Sequence, residues 1–332
     1  MAAQSQMPVA LLGAGACPAS HAQAISRRAE LRLSLDEPGV IAAVVAASAH
    51  DPFKHAQEAL LAGIPVLYAA PFHLSPWQAS VLEELSSRKK LILRFVEPFR
   101  YQPGYSFLQR LLEGREPFWR PLYVRSLYSM RPQAHARLDD LATEEMALYD
   151  SLLDVEPLRV SAVAVHCNET AQVCAASITV EYDGGPPLHS MVSVAEASNV
   201  HQLVAVASER TVVLDQVDDR VPLRIVGAGS EGHDVSFGGE NNNPEQGEPF
   251  AQELDGFLTA IDARDLSFGN GIRWSRVAAT WWAARQSMSC GGSVDVSSVQ
   301  RKTNPPPLTV IEGGGRSSGT AGRRPVLTVV GG

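Results

Sequence analysis

Cysteine is scarce in this sequence. Four in 332 residues (Cys17, Cys167, Cys174 and Cys290) are too few and too scattered to make a disulfide scaffold, so the fold must rest on its own core. A reducing cytoplasm is the simplest setting for such a chain. Long hydrophobic runs are missing as well. No stretch approaches the ~20 apolar residues that span a bilayer. The opening "MAAQSQMPVALLGAGACP" has no basic segment ahead of its short apolar run, which argues against a signal peptide and against a membrane partner. Positive charge is also in short supply. The net charge is −8, which argues against nucleic-acid partners, because such binding rests on neutralising phosphates. Basic pairs such as Arg27-Arg28 and Lys89-Lys90 read as solvated helix ends. No serine sits in G-x-S-x-G, so a hydrolase triad has no foothold. What remains is 45% hydrophobic and 19% charged, the balance of a globular protein, with length enough for two domains.

The first 120 residues alternate strand and helix. "PVALLGAGA" reads as a buried strand running into a glycine turn, and "ASHAQAISRR" as the helix after it. "VIAAVVAAS" is a continuous apolar run of the kind buried on both faces of a parallel sheet. "FKHAQEALLAG" is a helix closed by Gly63, and "IPVLYAA" the next strand. In "HLSPWQASVLEELSSRKK", Ser75 and Gln78 form a capping box with Pro76 at the first helical position. "LILRFV" follows as a strand. This is the grammar of an open α/β domain.

The pattern then changes. "PLYVRSLYSM" reads as a strand and "RLDDLATEEMALYDSLLD" as an amphipathic helix. Strand-like segments follow with few helices between them, which predicts a mostly antiparallel sheet of about six strands. Two late helices, "EPFAQELDGFLTAIDA" and "WSRVAATWWAARQSM", are placed to return and cover the domains, with Trp281 and Trp282 as core or interface residues. The expected organisation is a shortened, Rossmann-like parallel-sheet domain over 1–120 and an α+β domain with a large antiparallel sheet over 121–290. From 291 to 332 a Gly-, Ser- and Pro-rich tail reads as unstructured.

"GAGACP" (13–18) supplies the first two glycines of G-x-G-x-x-G. Gly13 permits the tight turn and Gly15 lets a phosphate approach the helix N-terminus. The third position is Pro18, which has no N–H. The alternative is a strand–helix turn without a ligand. A dinucleotide fold also needs an acid after the second strand, and "AELRLSLDEPG" offers Asp36 or Glu37. Yet the next strand begins at about Val40, too soon for the crossover of a dozen residues that parallel neighbours need. Either "LRLSL" does not lie beside "VIAAVV", or a strand and its crossover helix are missing.

Over roughly residues 8–297 the chain resembles the Gfo/Idh/MocA family of oxidoreductases. The resemblance runs through "VALLGAGACPASHAQAI", "DEPGVIAAVVAAS", "HAQEALLAGIPVLYAAPFHLSPWQASVLEEL", "EPFRYQPGYSFLQRLLEG", "GREPFWRPLYVRS" and the two late helices. It implies a Rossmann domain joined to an α/β domain whose open sheet supports homo-oligomers. It implies NAD or NADP as cofactor, held around Gly13, Ala14, Gly15, Cys17, Asp36 and Ser48, and a sugar, polyol or related carbonyl compound as substrate. The family places a lysine from Glu-Lys-Pro and an Asp-x-x-x-His pair at the reacting carbon, because hydride leaves only as a proton is taken up. Here Ala70 occupies the lysine position. Asp140 matches the aspartate, and Glu144 stands where histidine is expected.

Asp140 and Glu144 lie one turn apart on one helix face. Such a pair can do acid–base work, one carboxyl raising the other. The alternative is a solvated acidic face shared with Asp139 and Glu145. Tyr68, His73 and Tyr101 are further groups able to replace the lost proton donor. His166, Cys167 and Cys174 match no usual metal-ligand spacing, so no metal is expected. Two functions follow: an NAD(P)-dependent oxidoreductase, or a catalytically silent relative that binds a ligand or protein partner.

Overall fold

The computed structural model describes residues 7–13, 19–46, 49–69, 74–113, 121–132, 137–167, 172–215, 223–227, 232–235, 249–269 and 271–303. The first sheet holds β1 (Pro8–Leu12), β2 (Glu30–Arg32), β3 (Ala42–Val45), β4 (Val66–Tyr68) and β5 (Leu93–Phe95), in the order β2-β1-β3-β4-β5. All its pairings are parallel. Every residue of β3, β4 and β5 is buried, as strands covered on both faces must be. Helices α1 (Ala19–Arg28), α2 (Pro52–Leu61) and α3 (Pro76–Lys89) alternate with the strands. The local chemistry fixes their ends. Asp51 caps α2 through the Lys54 amide, and Gly63 leaves it at φ +82. Ser75 and Gln78 exchange both bonds of the capping box at the start of α3.

β2 resolves the difficulty of the short connection. It pairs with β1, not with β3. β1 lies between the two, so Pro38-Gly39 does not join neighbouring strands. Residues 33–41 cross the sheet without a helix, and the Ile41 amide returns to the Pro8 carbonyl. β2 is therefore the sheet edge, where a full dinucleotide fold carries one more strand.

After α4 (Pro103–Glu113) the chain enters a second sheet. It contains β6 (Pro121–Ser129), β7 (Pro157–His166), β8 (Val173–Tyr182), β9 (Leu188–Ser193), β10 (Val200–Ala207), β11 (Arg210–Asp215), β12 (Leu223–Gly227), β13 (His233–Val235) and β14 (Val294–Asp295). Their order is β13-β12-β11-β10-β6-β9-β8-β7-β14. Among the described residues nine strands replace the expected six, because β6 sits in the middle and two short strands extend the edges. All pairings are antiparallel except β6 with β9. The inner face is covered by α5 (Leu138–Leu153) and α7 (Trp274–Cys290).

The expectation of an unstructured chain from 291 fails over its first part. β14 pairs with β7, and α8 (Val296–Thr303) follows it. Val294, Val296 and Val299 are buried in the main core. Three valines supply the anchoring, and the surrounding Gly and Ser composition hides them. α6 (Pro249–Ala263) goes the other way: Phe250, Leu254 and Phe257 pack with Val9, Leu11 and Ile25 of the first domain. Trp281 is buried, whereas Trp282 is 42% exposed. Cys167 and Cys174 are joined to each other as a disulfide between the end of β7 and the start of β8. Among the described residues no helix is long and apolar enough to cross a membrane, and no group of three or more His, Cys, Asp or Glu is arranged to hold a metal ion.

Candidate functional site

β1 delivers its last residue to Gly13, which has φ +86. A side chain there would place Cβ 2.6 Å from Ala49 Cβ and 2.8 Å from Ala49 N. Only glycine fits, and it lets the ends of β1 and β3 close on each other. α1 then begins at Ala19 with no acid in its first turn, so its positive end faces no competing carboxylate of its own. This suits a bound phosphate. Ala14, Gly15, Cys17 and Ser48 lie outside the described residues.

The two acids after β2 differ. Glu37 is committed to its own turn: Oε1 accepts from the amides of Leu33 (2.8 Å) and Ser34 (3.2 Å), and Oε2 lies 3.8 Å from Arg32. Asp36 sits on the same turn, its amide donating to Ser34 Oγ. The lysine position, Ala70, is outside the described residues, as is His73. Ala69 extends β4 by donating its amide to the Val45 carbonyl. Tyr68 is wholly buried against Phe95. Tyr101 is half-buried, and its phenol is raised above its ordinary range by burial and by Glu253.

The acidic helix face is only partly solvated: Asp139, Asp140 and Glu144 are half-buried. Glu145 is fully buried, and the two carboxylates singled out in the sequence belong to a five-residue polar cluster between α5 and the second sheet. Tyr128 on β6 donates its hydroxyl to Glu144 Oε2 at 2.9 Å. His201 on β10 is the direct cross-strand partner of Tyr128. The two rings are stacked, with centroids 3.8 Å apart and planes within 8°. His201 Nε2 lies 2.9 Å from Glu145 Oε2. Burial pushes the Glu144 carboxyl up. His201 and the Tyr128 hydroxyl pull it back, and Glu145 and Asp140 push it up further. The Tyr128 phenol is held well above its ordinary range by burial and by the same carboxylates.

The structure thus joins Asp140 and Glu144 in one electrostatic cluster and adds Tyr128, Glu145 and His201, which the sequence does not single out. Tyr128 and His201 fall on segments legible as strands. Their pairing depends on strand order in a sheet that local pattern does not encode. Chemically, the cluster can hold and pass a proton: a phenol donates to a carboxylate whose affinity for that proton is raised.

No family model and no curated protein sequence matches the chain. Solved structures do match in fold. UDP-N-acetylglucosamine 3-dehydrogenase GnnA from Acidithiobacillus ferrooxidans superposes with a TM-score of 0.72 at 20% identity, over 86% of this chain and 98% of that one. A levoglucosan dehydrogenase in complex with NADH gives 0.72 at 16% identity, over 87% and 99%. GenD2 from gentamicin A biosynthesis, in complex with NAD, gives 0.70 at 17% identity, over 88% and 96%. The chain therefore shares the fold of these structures, a five-stranded parallel sheet joined to a large, mostly antiparallel one.

Proposed function

We propose that the chain is an NAD(P)-linked oxidoreductase that acts on a hydroxyl-bearing carbon of a sugar, polyol or related carbonyl compound. The observation that carries this reading is the Tyr128–Glu144 hydrogen bond inside a partly buried cluster, in a fold shared with dehydrogenases solved with NAD or NADH. The cofactor's phosphates would lie at Gly13 and the start of α1, and Asp36 would be the acid that meets its ribose hydroxyls. When bound, the nicotinamide supplies the acceptor or donor of the hydride.

The chain's own residues handle the proton. In oxidation the substrate hydroxyl gives its proton to the Tyr128 oxygen as Tyr128 passes its own to Glu144 Oε2. The proton ends on Glu144, and the C–H electron pair leaves as hydride. A carboxylate raised by burial is a stronger base near neutral pH, which is what this step requires. In reduction the proton travels back by the same route. Asp140 keeps the local field negative and so favours proton uptake. The cytoplasm is the proposed setting, in which the Cys167–Cys174 pair would be held as thiols.

A second reading, a silent relative that binds a ligand or protein, is favoured by Ala70 at the lysine position. Calorimetry with NAD(H) and NADP(H) separates the two. Saturable binding, followed by turnover of a sugar or polyol that falls by roughly 10²–10⁴-fold in Tyr128→Phe, supports the enzyme. No binding up to millimolar cofactor overturns it.

A further inference from the structure

The Glu145–His201 pair has no role in that proton path, and its placement calls for one. Glu145 is fully buried, yet its Oε1 finds no hydrogen-bond partner among the described residues. Its other oxygen holds His201, whose side chain is 8% exposed. A half-satisfied buried carboxylate is a poor source of stability; an apolar pair of similar volume would often serve the fold as well or better. The pair does something an apolar pair does not. It fixes an imidazole flat against the Tyr128 ring, and it places a group able to carry positive charge beside Glu144.

We propose that His201, clamped by Glu145, is a positioning residue for the Tyr128–Glu144 pair, holding the phenol in line with Glu144 and balancing the charge of the carboxylates around it. This rests on the oxidoreductase reading for its purpose, but the coupling itself is a property of the folded chain. The described groups that act on Glu144 come from three elements. Asp140 and Glu145 come from α5 itself, Tyr128 from β6 and His201 from β10. From α7, Trp281 engages Asp139, and Arg276 is taken by Asp150 farther along α5. Among the described residues named here as acting on Glu144, His201 alone can form a cation. It stabilises the carboxylate whenever it carries its proton.

Two substitutions should therefore move Glu144 in opposite directions. His201→Phe keeps a ring against Tyr128 and removes the charge, so Glu144 should hold its proton to higher pH. Glu145→Gln keeps an acceptor for His201 and removes a neighbouring negative charge, so Glu144 should release its proton at lower pH. The measurement is the carboxyl ¹³C titration of Glu144 in glutamate-labelled protein, assigned by its loss in Glu144→Gln. Shifts of opposite sign, by about half a pH unit or more, are expected. Packing damage alone would not produce opposite signs. If both variants fold and Glu144 titrates as in the parent, or both move it the same way, the proposal is wrong. If His201→Phe does not fold, Glu145→Gln decides alone: a Glu144 titration unmoved or raised overturns the proposal. In an active enzyme the acid limb of kcat/KM should follow the titration while KM changes little. Opposite titration shifts in a chain that turns over no substrate would uphold the coupling and sink the oxidoreductase reading, so the two failures are distinct.

Discussion

Replacing Arg276 by Met tests how the second domain is held together. Arg276 lies on α7, and its side chain is 4% exposed. Its Nε and Nη2 grip the two oxygens of Asp150 on α5, the second at 2.8 Å. Nη2 also reaches Asp154 (2.9 Å) and Nη1 reaches Glu156 (3.1 Å). Those two carboxylates are 85% and 50% exposed, so each contributes at most about 1 kcal/mol. Asp150 is different, at 6% exposure. Removing its partner leaves a charge stranded in the core, which costs about 3–5 kcal/mol. Burial already pushes the Asp150 carboxyl up to about 6, outweighing the pull of Arg276. The folded state thus binds this proton more tightly than the unfolded state does. The group favours the fold most below pH 4, and that contribution is lost as pH rises towards 6. Without Arg276 the folded value rises further, so the variant should suffer more at pH 8 than at pH 5. Denaturant melts at both pH values measure this, and Asp150→Leu combined with Arg276→Met should recover most of the loss. A loss under 1 kcal/mol, or one equal at both pH values with no recovery in the double variant, would refute the reasoning.

Other outcomes follow from single contacts. Gly13→Ala combines a positive φ with a Cβ 2.6 Å from Ala49. It should cost about 2–5 kcal/mol, read as a lower denaturant midpoint at unchanged slope, and should abolish any NAD(P) binding by calorimetry. Ser75→Ala removes half of the capping box and should cost about 1 kcal/mol in the same melts. Leu127 and Val163 stand on the outer face of the second sheet, 37% and 69% exposed, with Met191 and Ser177 between them in the strand register. We expect this face to pair copies of the chain. Val163→Lys should then shift the sedimentation profile towards monomer, and a parent already monomeric at tens of micromolar would contradict that expectation.

The legible parts of the molecule are those written in local chemistry. The Ser75/Gln78 box, Gly63 after α2 and the apolar runs of β3 and β4 are each decided by residues a few positions apart. The antiparallel character of the second sheet is legible from its alternating strands. Its strand count is not, because β13 has three residues and β14 two, too short for any period to show. The place of β2 is hidden for a different reason. "LRLSL" has the pattern of a strand, but which side of β1 it joins depends on the path of residues 33–41. The candidate site is half legible. Asp140 and Glu144 share a helix face by simple periodicity. Glu145, one residue on, looks like a solvent carboxylate until His201, brought from β10, explains its burial. Glu37 likewise looks available for a ligand until two amides of its own turn claim it.

The packing of α6 on the first sheet bears on how the chain is made. Val9, Leu11 and Ile25 cannot be sealed until Phe250, Leu254 and Phe257 have been synthesised. Until then α1 covers only part of that face of the amino-terminal sheet, and the remainder should stay open while the second sheet is produced. Contacts so distant along the chain are slow to form, and they leave apolar surface exposed in the interval. The two sheets differ in architecture, yet we expect them not to fold as independent units. A fragment ending there should fail to fold alone, and a nascent chain paused between the domains is the species most in need of a chaperone.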